Sequence, residues 1–388
     1  MKSYRVLYYT WNECTFKDCV DTMLHLGYAV DVVSGQMQNY NIDEVFMSQL
    51  KQYCTNHSYD CIFSFNYFPV ISRVADECQI RYISWVYDSP HLTLDSVTLS
   101  NSCNRVFLFD RSLCQKYLAK GINTVHYMPL AYNHFRLEHT IQQIRPHYEH
   151  DITFLGTLYD DEYDFLSQVN YLPPKLEGYI EALTDAQLLV YGLDFCDLLF
   201  DSEKCIEMAQ YVHLDMGADY VDYRDEMFRN MIRKKVTVKE RRDYLATLSQ
   251  EYHVDLYAPK KPENLQVHYK GYADYRNQMP EIFYTSKINL NITLRSILSG
   301  IPLRVIDILG AHGFLLTNYQ PEFSDYFVNG EDLVWYECRE DLLEKVNFYL
   351  THDSERERIA HNGSQKIQKY FTYSDILPQI FAISLEDS

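Results

Sequence analysis

Short apolar runs alternate with amphipathic stretches from the first residues onward. The runs over 4–9, 28–33, 59–65, 80–86, 104–109 and 124–128 are β-branched, aromatic or apolar at successive positions. Such runs predict strands covered on both faces. Between them, 15–26, 42–53, 70–78 and 112–120 repeat apolar residues at helical spacing, with Cys19, Met23 and Leu26 on one face of the first. Strands of this kind joined by helices predict a doubly wound parallel α/β domain. Residues 130–150 lose the period and read as a connector. A second set of strand candidates covers 151–155, 253–257, 267–269, 287–292, 314–317 and 332–336. A mostly helical stretch over about 160–250 interrupts it. Thr184-Asp-Ala-Gln187, Thr237-Val-Lys-Glu240 and Ser354-Glu-Arg-Glu357 carry the capping-box pattern that opens helices.

The expected fold class is therefore α/β, with two tandem Rossmann-like domains over 1–149 and 150–388 and a helical insertion in the second. A length of 388 residues fits two domains better than one core. Lys plus Arg is 35 against 54 Asp plus Glu, a formal charge of −19. That balance disfavours nucleic acid and anionic membrane surfaces as partners. One basic cluster runs against it: Arg229, Arg233, Lys234, Lys235, Lys239, Arg241 and Arg242. It reads as a solvated helix face or as a seat for an anion. The ten cysteines form no C-x-x-C pair and sit in apolar runs, as reduced residues of a cytoplasmic protein would. No apolar stretch reaches the roughly 18–20 residues of a membrane span. Tyrosine is abundant, 35 residues, which suits strands as well as sugar sites.

In open parallel sheets ligands bind beyond the carboxyl ends of the strands, so loops after strands carry the chemistry. In the first domain these are Thr10-Trp11-Asn12-Glu13, Asn66-Tyr67-Phe68-Pro69, Tyr87-Asp88-Ser89-Pro90-His91 and Asp110-Arg111. Asp88 is the candidate general base, because a carboxylate there can take a proton from a hydroxyl nucleophile. An Asp-Ser-Pro sequence also suits a turn cap. Neither G-x-G-x-x-G nor a P-loop occurs, which disfavours dinucleotide and P-loop enzymes. An Asp-x-Asp metal clamp is missing as well, so a diphosphate would need arginine, lysine or helix N-termini. In the second half Asn291 and Arg295 lie where a strand is expected to give way to a helix. Arg304 and Asp307 stand three apart on another helix face, as site residues or as a local ion pair. His147 and His150 invite a metal reading, but a lone pair without further ligands reads as linker.

Three stretches, 286–297, 300–310 and 313–320, resemble the CgeB-like (spore maturation protein) glycosyltransferases, a group-1-like family of GT-B fold. Tyr8-Tyr-Thr-Trp-Asn12, 63–72 and 82–90 resemble that family's first domain. The resemblance implies a nucleotide-sugar donor in the C-terminal domain, an acceptor in the N-terminal one, and a last helix that crosses back to the first domain. It places Gly156 and Thr157 near the donor phosphates, Gly271 and Tyr272 near the base, and Arg295 and Arg304 near the diphosphate. Asp307 takes the place of the carboxylate that holds the donor ribose. The acid expected eight residues earlier is Ser299. Asn12, Asn66 and His91 fall on the acceptor side. The expectation is a metal-independent glycosyltransferase with no cofactor beyond its nucleotide-sugar, acting on a surface glycan or protein. A nucleotide-sugar epimerase and a non-catalytic surface-assembly scaffold are the alternatives.

Overall fold

The computed structural model describes residues 3–160 and 164–386. The chain forms two compact units, each built on a six-stranded parallel sheet. One unit takes the chain up to Asn133, the segment Asp215–Tyr223, and the chain from Phe371 onward. The other takes His134–Leu214 and Arg224–Tyr370.

The first sheet contains β1 (Arg5–Thr10), β2 (Ala29–Ser34), β3 (Cys61–Phe65), β4 (Arg81–Val86), β5 (Asn104–Leu108) and β6 (Val125–Tyr127). Their order is β2-β1-β3-β4-β5-β6, so the direction of winding reverses between β1 and β3. Leu7, Tyr9, Ile62 and Val106 bury one face against the helices Glu44–Asn56 and Pro69–Glu77. The intervening Val6, Tyr8, Phe63, Phe65 and Trp85 bury the other. Strand period two makes both sets apolar, as a doubly covered sheet requires. The last helix, Tyr373–Leu385, returns to this unit and covers that second face with Tyr373, Ile376, Leu377, Ile380 and Phe381. The segment 215–223 is tied in by Val97 N donating to Asp219 O and Val221 N donating to Asp95 O.

The second sheet contains β7 (His150–Leu155), β8 (Val254–Tyr257), β9 (His268–Gly271), β10 (Ser286–Asn291), β11 (Leu315–Asn318) and β12 (Val334–Tyr336). Its order is β12-β11-β10-β7-β8-β9, with the reversal between β7 and β10. Between β7 and β8 lie the helices Pro174–Leu188, Phe195–Leu199, Ser202–Met208 and Tyr223–Leu248. Leu176, Ile180, Cys196, Phe200, Cys205 and Met208 give this insertion a core of its own. The helix Tyr223–Leu248 serves two cores: Phe228, Met231 and Ile232 join the insertion, and Tyr244, Leu245 and Leu248 join the sheet.

Several local expectations are corrected. The supposed connector contains the helix His134–Ile141. Thr184 lies near the end of Pro174–Leu188, and Thr237 lies inside Tyr223–Leu248, where its hydroxyl donates to Arg233 O at 2.9 Å. Both capping boxes are overridden because the helices run through them to bury longer apolar faces. No helix follows β10 directly; the next begins at Leu303. Among the described residues no helix is long and apolar enough to cross a membrane.

Candidate functional site

The basic cluster falls on the helix Tyr223–Leu248, and most of it is paired. Lys235 meets Glu181 at 2.7 Å and Lys239 meets Asp185 at 2.6 Å. Arg242 meets Asp160. Arg233 is 1% exposed and shared among Asp194, Asp197 and Glu226. Arg241 differs. It is 7% exposed. Its Nε and Nη2 donate to Ile292 O at 3.1 and 2.5 Å, and Nη1 donates to Thr157 O at 2.5 Å. No carboxylate among the described residues pairs with it, and burial pushes its pKa down. A buried cation whose hydrogen bonds all go to carbonyls is costly unless an anion completes it. Three of its five N–H groups are engaged, leaving two to donate.

Its position is the reversal point of the second sheet. Thr157 follows β7 and Ile292 follows β10, the two strands that flank that point. Crevices there are where such sheets take ligands. Gly156 N donates to Tyr257 O at 3.0 Å, and a Cβ added at Gly156 would meet only the Phe154 ring at 3.6 Å. The ring of Tyr159 lies 5.3 Å from the Arg241 guanidinium, and Lys234 Nζ sits 3.6 Å from the same ring.

Arg304 stands in the first turn of the helix Leu303–Gly310, near enough to Arg241 for the two charges to repel. Its guanidinium lies 5.4 Å from the Phe283 ring centre and 3.5 Å from Asp307 Oδ2. Asp307 is buried, and its Oδ1 accepts from Tyr275 OH at 3.0 Å. Gly271 has φ +90 at the end of β9, a conformation that favours glycine. Tyr272 beside it is 67% exposed.

The expected donor residue Asn291 and Arg295, expected to act in catalysis on the leaving diphosphate, both make structural contacts. Asn291 is buried and donates to Thr293 Oγ1 and Thr317 Oγ1 at 3.0 and 2.9 Å, fastening the ends of β10 and β11. Arg295, expected at a diphosphate, forms a two-pronged pair with Glu240, both distances 2.9 Å, and donates to Val190 O at 2.9 Å. Burial opposes its charge, yet Glu240 beside it raises the guanidinium's pKa overall. Ser299 donates to the buried Glu322 at 2.8 Å.

In the first unit the loops after β1 and β3 flank the reversal of that sheet. Asn12 and Asn66 both adopt positive φ, +67 and +62, a region that asparagine tolerates best among residues with a side chain. Asn66 is buried and anchors the base candidate: its Nδ2 donates to Asp88 Oδ2 at 2.6 Å, while its Oδ1 accepts from Tyr87 N and Asp88 N at 3.0 and 3.2 Å. Asp88 itself is exposed at the end of β4. His91 Nε2 accepts from Tyr67 N at 3.0 Å, so it braces the loop after β3. Asp110 caps the helix Arg111–Ala119 by accepting from Leu113 N at 3.0 Å. Glu13, in the loop after β1, is buried and accepts from Tyr8 OH, Thr10 Oγ1 and Trp11 N at 2.8, 2.9 and 3.1 Å.

In the sequence Arg241 stands only as one member of the basic cluster, read as a solvated face or an anion seat, and is not singled out. A signal was present: Tyr244, Leu245 and Leu248 lie three, four and seven residues beyond it, so Arg241 falls on an apolar stripe.

Residues 233–382 match the family model described as glycosyl transferase-like. No curated protein is significantly similar in sequence. A glycosyltransferase from Rickettsia africae ESF-5 superposes with a TM-score of 0.53 at 9% identity, over 100% of both chains. Sucrose-phosphate synthase from Thermosynechococcus elongatus gives 0.52 at 9%, over 99% of this chain and 100% of that one. Anabaena HepE in complex with UDP-glucose gives 0.51 at 12%, also over 99% and 100%. The fold is that of the GT-B glycosyltransferases.

Proposed function

We propose that the chain is a CgeB-like glycosyltransferase that moves a sugar from a nucleotide-sugar to a hydroxyl of a surface glycan or protein. The buried, carboxylate-free Arg241 at the sheet reversal, with Arg304 beside it, carries the reading. Two arginines there suit a diphosphate: Arg304 already meets Asp307, and the anion would supply the partner that Arg241 lacks. The family match over residues 233–382 and the GT-B fold support the same class. HepE is described with UDP-glucose, so UDP is the first nucleotide to test.

In this reading Asp307 takes the ribose hydroxyls, Gly156 and Thr157 line the phosphates, and Gly271 and Tyr272 border the base. The acceptor oxygen attacks the anomeric carbon. The bond from that carbon to the diphosphate breaks, and the acceptor proton passes to a base, for which Asp88 is the candidate. Charge that grows on the leaving diphosphate is met by Arg241 and Arg304, so no metal is obligatory. Asn66 positions Asp88, and His91 positions the loop that carries Asn66.

Calorimetry with UDP, GDP, dTDP and ADP, with and without Mg²⁺, tests the assignment. One diphosphate should bind without regard to Mg²⁺. Arg241→Met should weaken it about tenfold to a hundredfold, the worth of a charge-assisted hydrogen bond. Arg241→Lys, which keeps the charge, should recover part of the loss. A folded wild-type chain that binds none of the four would overturn the reading.

A further inference from the structure

The other end of the second sheet holds a separate cluster of ligand-type side chains. There β7 begins at His150, β8 follows directly on His253, and β9 begins at His268. In the parallel register Asp255 of β8 stands opposite His268 of β9. His253 precedes Asp255 by two residues, so the strand pleat points both to one face. The ligating atoms of His253, Asp255 and His268 all lie within 4.8 Å of one another. His253 Nε2 is 3.1 Å from Asp255 Oδ1, near the spacing of about 3.3 Å between two ligand atoms on one tetrahedral Zn²⁺. The rings of His253 and His268 stack 3.8 Å apart. Asp255 is buried, and its second oxygen is fixed by His150 Nδ1 at 2.6 Å. The Nε2 of His150 in turn faces Tyr257 OH at 3.4 Å. Both His253 and His268 are exposed, which leaves room for water.

We propose that His253, Asp255 and His268 bind a divalent transition ion such as Zn²⁺, with water completing the shell. Two imidazoles and one carboxylate suit such ions better than Mg²⁺ or Ca²⁺, which prefer oxygen alone. His150 is the outer partner that orients the carboxylate, an arrangement common around bound metals. The ion joins β8 to β9, the sheet's edge strand, whose pairing shifts register at Leu256/Tyr257. Its role is structural. Gly156 and Gly271 lie at the carboxyl ends of their strands, and this cluster lies at the amino ends, so the proposal is independent of the nucleotide reading.

The full chain, stripped with EDTA, is titrated with Zn²⁺ by calorimetry and with Co²⁺ by visible absorption. One ion per chain should bind, with ligand-field bands and no thiolate charge-transfer band. Zn²⁺ should raise the melting temperature. His253→Ala and His268→Ala should each weaken binding at least tenfold, while the exposed Cys14→Ser leaves it unchanged. Both histidines are exposed, so the metal-free variants should melt with the metal-free wild type. Equal binding by the His253→Ala/His268→Ala double variant, or no binding by the wild type, overturns the proposal.

Discussion

Arg241 is buried and Arg295 nearly so, both within reach of the end of β10, and their partners separate them. Arg295 faces Glu240, which is fully buried and also accepts from Tyr191 OH. Removing its guanidinium would strand that carboxylate. Arg295→Met should therefore cost about 3–5 kcal/mol of stability, read as a large fall in the denaturation midpoint. Arg241 has no such partner, so its variants are expected to show first in nucleotide affinity. In the first unit, Asp88→Asn should lower kcat by roughly 10²–10⁴-fold if Asp88 takes the acceptor proton. Asn66→Ala should lower kcat less, because it frees the carboxylate without removing it. Unchanged kcat in Asp88→Asn would reduce Asp88 to a turn residue. His91 and His126 add a pH signature. Burial draws both below the usual 6.5, with the Tyr67 backbone partly opposing it at His91 and Arg105 adding to it at His126. The unfolded chain then binds more protons as pH falls through about 6.5, so their stabilising share is intact above that value and lost below it. His126→Gln should flatten the acid fall of the urea midpoint relative to wild type.

The helix Tyr223–Leu248 shows how an element can outrank its own local signals. Its middle carries the Thr237 capping pattern, and its length of 26 residues ignores it. Burial of Phe228 and Ile232 at one end and Leu245 and Leu248 at the other rewards continuity. The helix Asp353–Tyr370 depends on close approach instead. A Cβ on Gly363 would lie 2.3 Å from Asp332 O and 2.8 Å from Leu309 Cδ2. Gly363→Ala should thus cost about 1–3 kcal/mol, measurable as a lower melting temperature. Gly313, part of the family-like stretch, is similar: its Cβ would meet Asn289 Nδ2 at 2.7 Å and Phe283 O at 2.8 Å. Its presence in that stretch has a packing cause.

For the whole molecule, the last helix is the informative part. Tyr373, Ile376, Leu377, Ile380 and Phe381 are buried against a face that includes Phe63, Phe65 and Trp85. A chain truncated after Tyr370 would expose that face. It should lose the cooperative melting of the first unit and gain dye-detectable apolar surface. Melting like that of the full chain would show that the helix is dispensable.

Apolar runs and their periods were enough to place the strands of both sheets, because most of these strands are covered on both faces and so apolar at successive positions; the edge strands β2 and β9 are more exposed. The alternation of these strands with helical stretches was enough for the α/β class. Part of the abundant tyrosine is core, as at Tyr8, Tyr67, Tyr82, Tyr336 and Tyr373. Tertiary structure alone decided which basic residues are neutralised. Arg233, Arg241 and Arg295 look alike in the chain, but most of their partners come from 36 to 105 residues away. It also decided that His253, Asp255 and His268 meet, because strand register, and not spacing along the chain, brings Asp255 opposite His268. Local pattern encodes burial; the pairing of charges and ligands depends on which strand lies beside which.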